Sequence, residues 1–132
     1  MLIEAATDVL GKFPLEGSSG AGCVASALIT KEHGEVFTGI CLDMHCGIGF
    51  CAEHAAIAEM LKHREKVIDM IVAISPSRIL TPCGRCRELM VQVSRENFKT
   101  QVIIGPTEIV LLEDLLPMHW KQTCEPEIQV PN

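Results

Sequence analysis

Apolar positions along this chain follow two patterns, one spaced like a helix and one running continuously like a buried strand. Over residues 1–13, Ile3, Ala6, Val9, Leu10 and Phe13 recur at helical intervals and predict a first amphipathic helix. Gly17, Ser18, Ser19 and Gly20 then mark a loop. The run CVASALIT at 23–30 reads as a buried strand, and Lys31-Glu32-His33-Gly34 reads as a turn. EVFTGICL at 35–42 returns as a second strand, so the pair predicts a hairpin. A Gly-rich loop follows at 45–50.

The helical pattern returns at 51–63, where Ala52, Ala55, Ala56, Met60 and Leu61 share a face. IDMIVAI at 68–74 is a short β-favouring run. Residues 83–95 predict a helix opened by Pro82, since proline is tolerated in a first turn. Two further strands are expected at 101–105 and 107–112, around Gly105-Pro106, and a tail from Pro117 carries the single tryptophan, Trp120. Strands alternating with helices predict an α/β domain around a central sheet. The 132 residues fit one domain, 1–132.

Composition narrows the function classes. Formal net charge is −6 and aromatic residues make up only 4%, with no tyrosine. Nucleic-acid binding needs clustered Lys and Arg for phosphates, and aromatic platforms where single strands are stacked. The balance therefore argues against DNA or RNA and suits a small neutral or cationic molecule. No stretch is long and apolar enough to span a bilayer, and MLIEAATDVLGKF lacks the cationic start of a secretory signal. Seven cysteines, an odd number, suggest reduced thiols in the cytoplasm rather than a disulfide framework.

Three of those cysteines stand in a telling arrangement: Cys51-Ala52-Glu53, and further on Pro82-Cys83-Gly84-Arg85-Cys86. A C-x-x-C pair alone is compatible with a redox couple, half of a structural zinc site or two core residues. Zinc deaminases combine a His or Cys, one residue, a non-ligand Glu, and then P-C-x-x-C. Cys51, Cys83 and Cys86 are thus candidate zinc ligands, leaving a fourth position for water. Glu53 is the candidate proton carrier. A four-cysteine structural zinc with Cys46 as fourth ligand is the sharpest rival.

Three thiolates on zinc leave a net negative cage. Its charge is offset by the helix starts expected at Cys51 and Cys83. His54, Arg85 and Arg87 are the candidate side chains for the same tuning. Cys23 is expected in the core, and Cys124 reads as incidental.

These residues resemble the cytidine deaminase superfamily, in its small all-cysteine branch. The likeness runs from about residue 20 to Trp120. It rests on Val24-Ala25-Ser26-Ala27-Leu28, Phe37-Thr38-Gly39-Ile40, Cys51-Ala52-Glu53, Pro82-Cys83-Gly84-Arg85-Cys86-Arg87 and Leu115-Leu116-Pro117. The run from Ile79 to Arg87 looks especially like the blasticidin S deaminases. The resemblance implies a three-layer α/β/α fold with a five-stranded mixed sheet, a bound Zn2+, and a homotetramer whose sites neighbouring subunits complete. It further implies substrate contacts at Cys41, Asp43, Phe50 and Trp120, with the loop Gly47–Phe50 at the base end.

Two positions depart from the family pattern. Nucleoside-specific members hold the ribose hydroxyls with Asn-x-Glu after the second strand's Thr-Gly, and here Cys41 and Asp43 stand at those positions. A thiol cannot replace an amide's paired donor and acceptor. Many members also carry Arg directly after the catalytic Glu, where this chain has His54. The expected activity is hydrolytic deamination of a cytosine-type nucleoside with release of ammonia, cytidine or deoxycytidine being rivalled by blasticidin S. A non-catalytic zinc module is the alternative from another class.

Overall fold

The computed structural model describes residues 1–123, so Cys124 lies outside the described residues. A long hairpin forms the centre. Strand β2 (Gly20–Thr30) pairs antiparallel with β3 (Val36–Asp43) on one side and with β4 (Ile68–Ile74) on the other. Strand β6 (Gln101–Gly105) adds to β4 in parallel, and β7 (Glu108–Leu111) closes the edge antiparallel to β6. The main sheet is therefore mixed, in the order β3-β2-β4-β6-β7.

Two further strands of two residues each, β1 (Phe13–Pro14) on β2 and β5 (Ile79–Leu80) on β4, bring the sheet to seven strands rather than five. They escape a sequence reading because two residues carry no periodicity. β1 also corrects the first helix, which spans Leu2–Val9 (α1) and stops short of residue 13. Leu10 is already extended, Gly11 donates to the Gly22 carbonyl at 3.0 Å, and Phe13 and Pro14 join the sheet opposite Ala21 and Gly20.

Side chains alternate across a strand, and this alternation divides the core in two. Ala25 and Ala27 of β2 with Val72 and Ile74 of β4 pack under Leu2 and Ala6 of α1. Leu28 and Ile71 face the other way, into a core with Ala56, Ile57 and Met60 of α2 (Ala52–Lys62) and Met90 and Val91 of α3 (Gly84–Val93). Helices on both faces make three layers, α/β/α. β2 is covered on both sides, which is why its sequence reads as a continuous apolar run.

Two devices fix the helices that matter for chemistry. Gly39 of β3 lies under the first turn of α2: a Cβ there would meet the Ala56 amide and come within 2.6 Å of the Ala52 carbonyl oxygen. Only a residue without a side chain lets the helix start this close to the sheet. At the other end of α3, buried Asn97 accepts from the Ile68 amide at 2.8 Å and donates to the carbonyls of Met90 (2.8 Å) and Lys66 (3.0 Å). It ties the end of α3 to the start of β4.

Candidate active site and metal centre

Cys51 and Cys83 occupy the cap positions at the N-termini of α2 and α3, both in extended conformation, and neither side chain caps its own helix. Both thiols are thereby free to point at a shared centre, close to amide groups that have no partner within their helices. Cys86, one turn into α3, is fully buried. The Cys51 and Cys83 sulfurs lie 3.4 Å apart and those of Cys83 and Cys86 3.6 Å apart. All three fall within 4.8 Å of one another. Two sulfurs on one tetrahedral zinc, each about 2.3 Å from the metal, sit about 3.8 Å apart. The donor set therefore fits zinc with only small adjustment.

Among the described residues this group holds three sulfurs and no fourth. Cys46 is exposed, in a left-handed backbone conformation in the loop after β3. The rival four-cysteine arrangement does not form.

The charge environment follows from position. Burial pushes the Cys83 thiol up, but the amides of Cys86 and Arg85 and the neighbouring thiols outweigh it and hold the group below its ordinary range. Burial raises Cys51 and drives Cys86 strongly upward. A cation bound among the three reverses that cost by replacing the protons. His54 Nδ1 lies 3.4 Å from the Cys86 sulfur. Burial, then the nearby Arg85 charge, lowers its basicity.

Arg85 lines the cleft. Arg87 donates from Nε to the Pro82 carbonyl (2.7 Å) and from its terminal nitrogen to the Leu115 carbonyl (3.0 Å). It braces the turn that carries Cys83 instead of touching a sulfur. Of the three side chains expected to tune the thiolates, His54 is the one in contact.

Glu53 sits in the first turn of α2, 4% exposed. Burial lifts its carboxyl above the usual range, partly opposed by its own backbone amide and by Cys86. A carboxyl moved toward neutrality is suited to taking up and giving back protons near physiological pH.

Cys51, Cys83 and Glu53 line a cleft of about 350 Å³, with Cys86 buried behind them, a size ordinary for a small-molecule site. Phe50 and Gly49 form one wall. The loop before α2 is closed by paired bonds between Leu42 and Phe50, of 3.0 and 3.1 Å. The Phe50 ring lies nearly parallel to that of His54, with centroids 6.4 Å apart. Cys41 and Asp43 also line the cleft. Trp120 is not among the cleft residues; it is half exposed and packs on the His119 ring.

Cys23 corrects a sequence expectation. It is not a core residue: it is half-buried, lines the cleft, and its sulfur lies 3.4 Å from that of Cys41 and 3.1 Å from Asp43 Oδ2. The signal was a subtle one. The pairing of β2 with β3 slips between Ala21 and Ala25, and this bulge turns Cys23 away from the face it would occupy in regular alternation.

Comparison with known proteins agrees with this geometry. The profile of the cytidine and deoxycytidylate deaminase zinc-binding region matches residues 6–102, a span that contains Cys51, Glu53, Cys83 and Cys86. The chain is 27% identical to the blasticidin-S deaminase of Bacillus cereus, over 90% of this chain and 89% of the relative. Its fold superposes on cytidine deaminase from Burkholderia pseudomallei with a TM-score of 0.70 and 25% identity, covering 89% of this chain and 95% of that one. For cytidine deaminase from Mycobacterium tuberculosis the TM-score is 0.74 at 24% identity, covering 91% and 94%. With its sulfur triad, buried glutamate and sheet all in agreement, the chain belongs to the cytidine and deoxycytidylate deaminase family, as a zinc-dependent hydrolase of that family.

Proposed function

We propose that the chain hydrolyses the exocyclic amine from a cytosine-type ring in a free nucleoside or nucleoside-like compound. In this reading Cys51, Cys83 and Cys86 hold the zinc and Glu53 carries the protons. The observation that bears most weight is the buried Glu53 carboxyl beside three converging sulfurs, two of which, Cys51 and Cys83, line the same cleft as Glu53. Bound among those sulfurs, zinc supplies a Lewis acid that makes water nucleophilic at neutral pH. Glu53 accepts one proton of the attacking water and passes it to the ring nitrogen next to C4, then takes the remaining proton from the new C4 hydroxyl, which becomes the carbonyl, and delivers it to the departing amine. A carbon–oxygen bond forms at C4, the carbon–nitrogen bond breaks, and ammonia leaves. Phe50 would pack against the base, with Ala52 and Leu80 as further apolar lining of the cleft.

The natural substrate is read at the sugar end. Cys41 and Asp43 stand there in place of an amide and a longer carboxylate, so ribose is recognised less stringently than by an Asn-x-Glu pair. Asp43 is exposed at the cleft and carries a negative charge. This favours a cationic substituent of the kind carried by blasticidin S as the second reading, beside cytidine and deoxycytidine. We place the enzyme in the cytoplasm, in keeping with six free cysteines among the described residues. Among those residues no helix is long and apolar enough to cross a membrane. Exposed Ile48 and Met118 support self-association, with a homotetramer as the expected state.

The deciding experiment is a deamination screen of zinc-loaded protein on cytidine, deoxycytidine and blasticidin S, followed by loss of the aminopyrimidine absorbance. Turnover of at least one supports the reading, and turnover of none overturns it. A strong kcat/KM preference for cytidine over the other two would remove the sugar-end argument. Light scattering that returns a monomer mass would remove the oligomer.

A further inference from the structure

The cleft contains a second group of metal-capable donors besides the one assigned above. Cys23, Cys41 and Asp43 bring two sulfurs and a carboxylate oxygen within 4.8 Å of one another. The edges of this triangle are 3.4 Å (Cys23 to Cys41), 3.1 Å (Cys23 to Asp43) and 3.9 Å (Cys41 to Asp43). In the catalytic triad the corresponding sulfur edges are 3.4 and 3.6 Å. Two donor sets of nearly the same size therefore stand at one cleft, the second lining it with all three residues and the first with Cys51 and Cys83.

Strand geometry explains the second set. Cys41 and Asp43 are two residues apart on β3, so both point to the cleft side. The bulge in β2 swings Cys23 onto the same side. The Val24 amide also donates to the Cys41 sulfur at 3.3 Å, fixing its orientation.

We propose that Cys23, Cys41 and Asp43 form a second site for a soft divalent cation, Zn2+ or Cd2+, at the sugar end of the cleft. Binding releases the two thiol protons to solvent and leaves two thiolates and one carboxylate on the ion, with a net charge of about −1 and a fourth position facing the cleft. Soft thiolates select such cations over Mg2+ and Ca2+, which prefer all-oxygen shells.

A disulfide between the two cysteines is the competing use of the pair, and it would leave neither sulfur as a thiolate ligand.

Occupancy of this site would fill the sugar end, so excess zinc would compete with substrate. That consequence rests on the deaminase reading; the metal site itself does not.

The test uses the reduced full-length protein. Zinc per chain is measured by atomic emission after equilibration with excess zinc, and Cd2+ uptake is followed through thiolate charge-transfer absorbance. The wild type is expected to take up two equivalents of either ion. Cys23→Ser is expected to keep the first equivalent and lose the second. Asp43→Asn, altered at an exposed position, is expected to weaken the second step alone. Retention of the first equivalent reports that each variant is folded. Saturation of the wild type at one equivalent overturns the proposal. So does a second equivalent that survives Cys23→Ser, or a Cys23–Cys41 disulfide found by peptide mapping of protein purified under non-reducing conditions. In the activity arm, excess zinc should raise the KM of wild type and leave that of Cys23→Ser unmoved. If no substrate is turned over the deaminase reading falls, while the metal count still decides the site.

Discussion

Gly39 on β3 and Ala52 at the start of α2 are in backbone contact: a single carbon added to the glycine would stand 2.6 Å from the Ala52 carbonyl oxygen. Cys51 and Glu53 flank that alanine, so the contact sets the height of both the first sulfur ligand and the proton carrier above the sheet. Gly39→Ala must push the helix start outward. Overpacking of this kind costs about 1–3 kcal/mol. A misplacement of about 1 Å in catalytic groups can cost about 100-fold in rate. The variant is expected to melt at a lower temperature by calorimetry and to lose far more kcat than KM. Unchanged kcat would show that the site tolerates movement of α2.

Glu53→Gln preserves size and removes the proton carrier. Because the carboxyl is buried and lies beside the sulfurs without being one of them, zinc content and fold should be retained. General acid–base groups contribute about 10²–10⁴-fold, and kcat is expected to fall by at least that much. Zinc analysis alongside steady-state rates separates the outcomes. More than about a tenth of the activity remaining would assign the protons elsewhere.

His54 touches Cys86 and stacks on Phe50, joining the metal shell to the wall of the cleft. Groups that orient metal ligands from behind typically affect affinity by about 10–100-fold. His54→Ala is expected to lose zinc to a competing chelator at a correspondingly lower concentration. A neutral amide can keep part of the contact with the Cys86 sulfur, so His54→Gln should recover part of the loss. Equal zinc retention by wild type and the alanine variant would count against this contact.

Far from the cleft, His33 Nδ1 pairs with Glu65 Oε1 at 2.9 Å, the carboxylate almost wholly enclosed and the imidazole exposed. Hydrogen bonding to Glu65 raises the His33 pKa. Its contribution is therefore complete below the unfolded value near 6.5 and fades as pH rises through the higher folded value. Burial alone would raise Glu65, but the contacts with His33 and Thr30 together outweigh it and hold the carboxyl low. That contribution is present above about 4.3 and fades as pH falls through the depressed folded value. The two overlap between roughly pH 4.3 and 6.5. His33→Gln should lower the melting temperature most inside that window and progressively less above neutrality. A difference that is constant from pH 5 to pH 9, roughly two units either side of neutrality, would contradict the pairing.

Much of this molecule is legible in its sequence because the relevant physics is local. Apolar spacing located β2, β3, β4 and α2 to within a few residues, since a strand buried on two faces and a helix buried on one leave different patterns. The ligand spacing was legible for the same reason: Cys83 and Cys86 are one turn apart at a helix start, so their sulfurs share a side whatever the rest of the chain does. A glutamate two residues after Cys51 could likewise be read as a neighbour of the metal rather than one of its ligands.

What only the tertiary structure decided are relations between segments that no local pattern encodes. The meeting of Cys51 with Cys83 depends on two helix starts held over the same end of the sheet, one by Gly39 and the other by Arg87. Arg87 reads in sequence as a cation near thiolates, yet the carbonyls of Pro82 and Leu115 offer its guanidinium nearer partners. Cys23 sits in an apolar run and reads as core. Its side was reversed by a bulge, and a bulge is a property of pairing with β3, not of β2 alone. From Ala21 to Ala25 β2 advances four residues while β3 advances only the two from Leu42 to Ile40, and this irregularity breaks the alternation of faces and turns a core cysteine into part of the cleft.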